Sequence, residues 1–321
     1  MRNILIIIAL PAMALATWTY EGKWGSYGGG NGQFYDAASC VIAPTTSYVY
    51  VADSNRDDVQ YFTWNGSFLG RWGGTGTGDG QFRYPAGMAF RAATGNVYVA
   101  DSSNDRIQYF TLSGSFLGKW GTTGTGDGQL NSPKGVEVAA GTGYVYVSEV
   151  DNDRISYFTA SGSFVGKWGS LGTAAGQFHD PCGITVSPND GTVYVADTFN
   201  QRIQYFTPSG SYLGAWGTLG SDPGQFNYPM GLTFSPDGQI LYVADSQNDR
   251  IQGFTPAGSY VGEWGESGTG NGQFLGPEDV GLNASGGRIY IVDVYNSRIQ
   301  YFEGYTRVRY NTWGKIKSLF R

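Results

Sequence analysis

An apolar run ending in an acid returns six times at a fixed interval of 48 residues, at Asp53, Asp101, Glu149, Asp197, Asp245 and Asp293. A Trp-Gly pair keeps the same beat at Trp24, Trp72, Trp120, Trp168, Trp216 and Trp264. So does a Gly-Gln-aromatic element at Phe34, Phe82, Phe178, Phe226 and Phe274, with Leu130 in the remaining slot. A period of this length denotes an array of supersecondary units, each unable to bury its own faces alone.

One repeat, 176–224, shows the strand logic. A short strand at 181–186 is followed by a Ser-Pro-Asn-Asp-Gly turn, and a second strand, 192–197, is apolar on both faces. A tight turn at 198–201 leads to a third strand, 202–206, and Pro208-Ser209-Gly210 turns into a fourth, 211–216. Four short β-rich runs between Gly, Pro, Asn and Ser turns, with no helical period, make a meander. Second strands that are apolar on both sides belong in stacked sheets, since an open sheet would alternate apolar and polar. Radial repetition of such sheets gives a β-propeller. The start of the chain, Thr19 to Gly25, matches the fourth strand of a blade, and the last repeat supplies only three strands. The expected fold is all-β: a six-bladed β-propeller of four-stranded antiparallel blades, closed by the N-terminal strand completing the last blade, which removes two free sheet edges.

The run Asp-x-x-Asn-x-Arg-Ile-Gln, followed by Phe, Gly, Trp-Gly, Gly-Gln-Phe and Pro-x-Gly, resembles the NHL repeat over about residues 18–303. Asn104, Asn152, Asn200, Asn248 and Asn296 hold the Asn position, and Arg106, Arg154, Arg202, Arg250 and Arg298 the Arg position. The first blade departs from the pattern, with Arg56 where Asn belongs and Asp58 where Arg belongs. Some relatives implied by this resemblance hold zinc or calcium in the central channel, and the amidating lyases resemble such a propeller with several His ligands. This chain has one His, His179, so a multi-His zinc site cannot be built within it.

Residues 1–16 read as a secretory signal peptide, with a basic start, an apolar core from Ile4 to Leu15 and the small-x-small step Ala14-Leu15-Ala16. Three segments follow: a signal at 1–16, the propeller at 17–303 and a basic tail at 304–321. The mature chain is expected to be secreted, periplasmic or at the cell surface. No other stretch approaches the roughly 18 apolar residues of a membrane helix, so no membrane span is expected. Of the 20 basic residues, Arg2 lies in the leader and five lie in the tail, which leaves 14 against 26 acidic residues, or −12, in the propeller. Such a body repels phosphate backbones, so nucleic acid is not an expected partner. The tail carries Arg307, Arg309, Lys315, Lys317 and Arg321 and no acid, with Trp313, Ile316 and Phe320 at the spacing of a short amphipathic helix. Docking on the acidic propeller, a sorting or attachment signal, and a flexible end are the three readings it leaves open. Cys40 and Cys182 fall three repeats apart, on opposite sides of a six-membered ring. That is too far for a disulfide, which wants Cα atoms within about 7 Å, so two partly buried thiols are expected.

The repeated acid and Arg, five residues apart, bracket the second turn of each blade and read as a structural pair. The six Trp residues read as blade packing. Burying one such ring removes roughly 150–250 Å² from water, a gross gain of about 4–6 kcal/mol. Function is sought instead where the repeat is broken. The turn after the second strand and the link between blades open on one face of the disc, and their residues differ from blade to blade. The candidate binding face is Tyr35, Tyr84, Lys134, His179, Asp180, Phe199, Tyr228, Glu278, Asp279 and Tyr295, with Glu137, Cys182 and Met230 beside the channel. Asp53, Asn55, Asp57 and Asp58 have part of the alternating oxygen spacing of a calcium loop but lack its Gly. No cofactor is expected; calcium is the ion this inventory leaves open. The reading is an exported, non-catalytic, monomeric binding or scaffolding propeller that recognises a protein or glycan partner. The alternative is a calcium-dependent channel enzyme, a hydrolase or lyase using Glu278 and Asp279.

Overall fold

Each repeat folds into one twisted antiparallel sheet, and six four-stranded sheets are arranged in sequence order around a channel. The structure, a computed structural model, describes residues 17–304; the leader reading (1–16) and the basic tail from 305 onward lie outside the described residues. Blade 4 is representative, with an inner strand Pro181–Val186, a second strand Val193–Asp197, a third strand Arg202–Phe206 and an outer strand Tyr212–Trp216. The second strands are buried along their whole length in all six blades, apart from the first residues Asn96 and Arg288 in blades 2 and 6, as the doubly apolar runs require. The outer strands alternate half-buried and exposed positions. The outer Trp rings are therefore partly covered rather than sealed, and Tyr212, on the same face as Trp216, is 42 % exposed.

Aromatic rings cement neighbouring blades. Trp216 packs on Tyr194 and Tyr205 of its own sheet and on Phe254 of the next, with centroids 5.8–6.1 Å apart. The Tyr194 hydroxyl donates to the Pro256 carbonyl in the next blade's hairpin at 3.1 Å. Gly210 serves that hairpin twice: it adopts φ +91°, and a Cβ there would collide with the Trp168 ring of the preceding blade. Along the channel, Gly87, Gly135, Gly183 and Gly231 each lie so close to the next blade's inner strand that a Cβ would clash with its backbone. Ser39 and Asp279 hold the equivalent positions in blades 1 and 6.

The ring closes as expected. The strand Trp18–Trp24 pairs antiparallel with Arg298–Gly304, running from Trp18 opposite Gly304 to Trp24 opposite Ile299. Among the described residues no helix is long and apolar enough to cross a membrane. Cys40 and Cys182 are both buried free thiols on the inner strands of blades 1 and 4.

Candidate functional site

The repeated acid and Arg are scaffold. Arg106 Nε donates to Asp101 at 2.6 Å, and its remaining N–H groups donate to the carbonyls of Thr77, Gly78 and Gln81 in the preceding link. The same pairing recurs at Arg154–Glu149, Arg202–Asp197, Arg250–Asp245 and Arg298–Asp293. These acids are fully buried, so each pair fixes a link loop and leaves no free charge for a ligand.

Two features converge where the loop face meets the channel. The first is an aromatic and apolar mouth lined by Tyr84, Val150, Phe199, Tyr228 and Met230, with Lys134, Asp151 and Asp180 among them. Phe199 lies edge-on to Tyr228 and tilted against His179, both at 5.0 Å between centroids. Tyr84 and Tyr228 adopt φ of 56° and 58°, a region that most residues avoid. Their amides are held there by Asp57 Oδ1 at 2.8 Å and Gln201 Oε1 at 2.6 Å. Both rings are thus rigidly presented and remain 40 % and 36 % exposed.

Below the mouth lies a channel cavity of about 120 Å³ whose lining includes Lys134, Glu137, Cys182, Met230, Glu278 and Asp279. Lys134 Nζ is 3.8 Å from Glu278 Oε2 across the ring, and its ammonium lies 5.9 Å from the centre of the Tyr84 ring. Burial opposes the Lys134 charge, but Glu278 and Cys182 outweigh it and hold the amine above the ordinary lysine range. Burial pushes Glu137 up to about 8, reinforced by the Asp279 charge, and no hydrogen bond among the described residues offsets this. Asp279 is raised to about 6 by burial, against N–H donation from Cys40 and Val280.

Of the residues singled out from sequence, Tyr84, Lys134, His179, Asp180, Phe199, Tyr228 and Glu278 come together at this mouth. Asp279 sits deeper in the channel wall. Tyr35 pairs instead with Tyr27 at 5.3 Å, and Tyr295 stands apart on blade 6, 71 % exposed. Beside these residues stand Asp36, a varied position of the first link that accepts from the Tyr84 hydroxyl at 3.3 Å, and Asp151, which the sequence reading did not single out and which accepts from Ser132. Asp151 differs from its counterparts Asn55, Ser103, Phe199, Gln247 and Tyr295, which is the signal that could have found it.

The calcium-loop spacing of the first blade does not become a converging set. Asp53 takes the amides of Tyr35 and Asp36, Asn55 donates to Asp36, Asp57 takes Thr75 and Tyr84, and Asp58 pairs with Arg56 at 2.9 Å. Among the described residues no three His, Cys, Asp or Glu side chains are grouped to hold a metal ion.

Fold and site together define a six-bladed propeller with an aromatic mouth where its loop face meets the channel. The family model described as NHL repeat matches residues 178–206 and 274–302, in the fourth and sixth repeats. The chain is thus a six-bladed propeller that carries NHL repeats in its fourth and sixth blades. No curated protein matches the sequence. Among solved structures it is similar to a structural genomics protein of unknown function from Bacteroides thetaiotaomicron VPI-5482, with 16 % identity, TM-score 0.65, and 88 % of this chain and 76 % of that one covered. A streptogramin B lyase is similar at 15 % identity and TM-score 0.57, covering 81 % and 77 %. Kuenenia stuttgartiensis hydrazine synthase is similar at 12 % identity and TM-score 0.57, covering 86 % and 99 %. At such identities the likeness is one of fold.

Proposed function

We propose that this protein is an exported, non-catalytic binding and scaffolding propeller that recognises a protein or glycan partner through its loop face. The observation that carries this reading is the convergence of Tyr84, Phe199 and Tyr228, rigid and exposed, around one apolar mouth with Lys134 and Asp180 in its wall. Aromatic anchors in a pocket with a polar rim are where binding energy concentrates. Replacing both Tyr84 and Tyr228 with Ala should weaken capture of the partner, on a glycan array or from secreted proteins, by at least tenfold. Their partial exposure means that melting should move by no more than about 2 °C. Equal capture by wild type and the double variant would remove the loop face from consideration.

A second reading, a calcium-dependent channel hydrolase or lyase using Glu278 and Asp279, is favoured by the three channel carboxylates that burial raises, Glu137, Glu278 and Asp279. Calcium takes six to eight oxygens from carboxylates, carbonyls and water, and the Lys134 ammonium already pairs with Glu278. Elemental analysis of protein purified without chelator separates the readings. One tightly held divalent ion per chain supports the enzyme, and none leaves the binding propeller ahead.

A further inference from the structure

The charge of the ring is segregated between its faces. Among the acids, Glu21 and Glu263 lie on outer strands, Glu137, Glu278 and Asp279 line the channel, and Asp190, Asp237 and Glu303 lie on the turn face; all the others belong to the loop side. The turn face sets Arg91 and Arg288 against its three acids and is close to balance. Nearly all of the negative excess therefore faces one way.

Residues 305–321 carry five positive charges and no acid. They leave the ring at Gly304, whose partner is Trp18, on the turn-face end of blade 6. At up to about 3.3–3.6 Å per residue, such a segment reaches roughly 55–60 Å, whereas a blade strand of this length spans about 17–23 Å. The first half of the segment is long enough to climb the outer edge of the blade. That length brings the second half, with Lys315, Lys317 and Arg321 beside Trp313, Ile316 and Phe320, within reach of the loop side. There the links flanking blade 6 present the exposed Glu266 and the rings of Tyr27 and Tyr295, 73 % and 71 % exposed. The channel mouth does not use any of these three.

We propose that residues 305–321 dock in cis on the loop side of blade 6, with their cations against Glu266 and neighbouring acids and their apolar side chains over Tyr27 and Tyr295. Charge complementarity supplies the attraction, and tethering supplies a local concentration in the millimolar range, which favours the segment's own ring over a second copy.

The test uses a fluorescently labelled peptide of residues 305–321 titrated against two full-length proteins. One is wild type; the other has Arg307, Arg309, Lys315, Lys317 and Arg321 replaced by Gln. The peptide should bind the neutralised protein, lose affinity steeply with added salt, and bind wild type at least tenfold more weakly because the tethered segment holds the site. Adding Glu266→Gln and Tyr295→Ala to the neutralised protein should reduce affinity at least fivefold, whereas Tyr84→Ala and Tyr228→Ala should not change it. Docking therefore fails or stands separately from the partner-binding reading. Absence of binding, equal binding to both proteins, or indifference to Glu266 and Tyr295 would overturn the proposal. So would sedimentation showing wild type to self-associate through the segment, since the segment would then dock in trans.

Discussion

Asp58 stands where four of the other blades have an Arg donating to a buried Asp, and blade 3 an Arg donating to a buried Glu. Arg56, two positions earlier, takes over: its guanidinium reaches the carbonyls of Gly30 and Gln33, the counterparts of Gly78 and Gln81 for Arg106. The link is fixed as before, but two buried acids, Asp53 and Asp58, now share one close Arg, and Asp58 Oδ1 has no partner among the described residues. Burial raises Asp58 to about 7, opposed by Arg56 and reinforced by Asp53 and Asp57; Arg71 approaches it at 3.7 Å. An acid raised on folding binds its proton more tightly in the native state, so the fold loses stability as pH rises from about 4 to about 7, and the loss levels off above that. Between pH 5 and pH 8 the Asp58→Asn variant should gain on wild type by about 1–3 kcal/mol, read from urea midpoints at the two pH values. A constant difference would mean that Arg56 keeps Asp58 ionised throughout.

Within the blades, a second-strand Tyr joins each sheet to the next. Tyr50, Tyr98, Tyr146, Tyr194 and Tyr290 each donate to a hairpin carbonyl in the neighbouring blade at 2.9–3.1 Å. Tyr242 has no such partner among the described residues, because the hairpin it faces is interrupted where the chain ends meet. Tyr194→Phe should lower stability by about 1–2 kcal/mol, leaving the Pro256 carbonyl unpaired, while Tyr242→Phe should lie within about 0.5 kcal/mol of wild type. Similar losses for both would indicate a partner for Tyr242 beyond Gly304. The buried acid–Arg pairs are more demanding. Arg154→Ala strands the Glu149 carboxylate at zero exposure and should cost about 3–5 kcal/mol, measured by denaturant titration. The pattern of these elements was legible in the sequence because spacing alone places an acid and an Arg on facing strands. The substitution of Arg56 for the missing Arg was not, since it depends on how far a long side chain reaches across a loop. The crowding that raises Glu137 was equally hidden, arising between inner strands far apart in sequence.

At the level of the whole ring, the 48-residue beat carried the architecture, and the mismatch between a start resembling a fourth strand and an end supplying only three carried the closure. Which loop residues meet at the mouth was only partly legible: Tyr84 belongs to blade 2 and Tyr228 to blade 5, and only the closed ring sets their distance. Deleting residues 17–24 would expose the third strand of blade 6 as an open edge. Such a chain should melt at least 10 °C lower and aggregate on heating, as light scattering would show. The pairing of Trp18 with Gly304 has a practical corollary. Both ends of the ring leave side by side from the face opposite the mouth, so an affinity handle or fluorescent fusion joined directly before Trp18 or directly after Gly304, in place of the flanking residues, would hold every molecule in one orientation with its mouth turned outward, toward whatever is flowed across it.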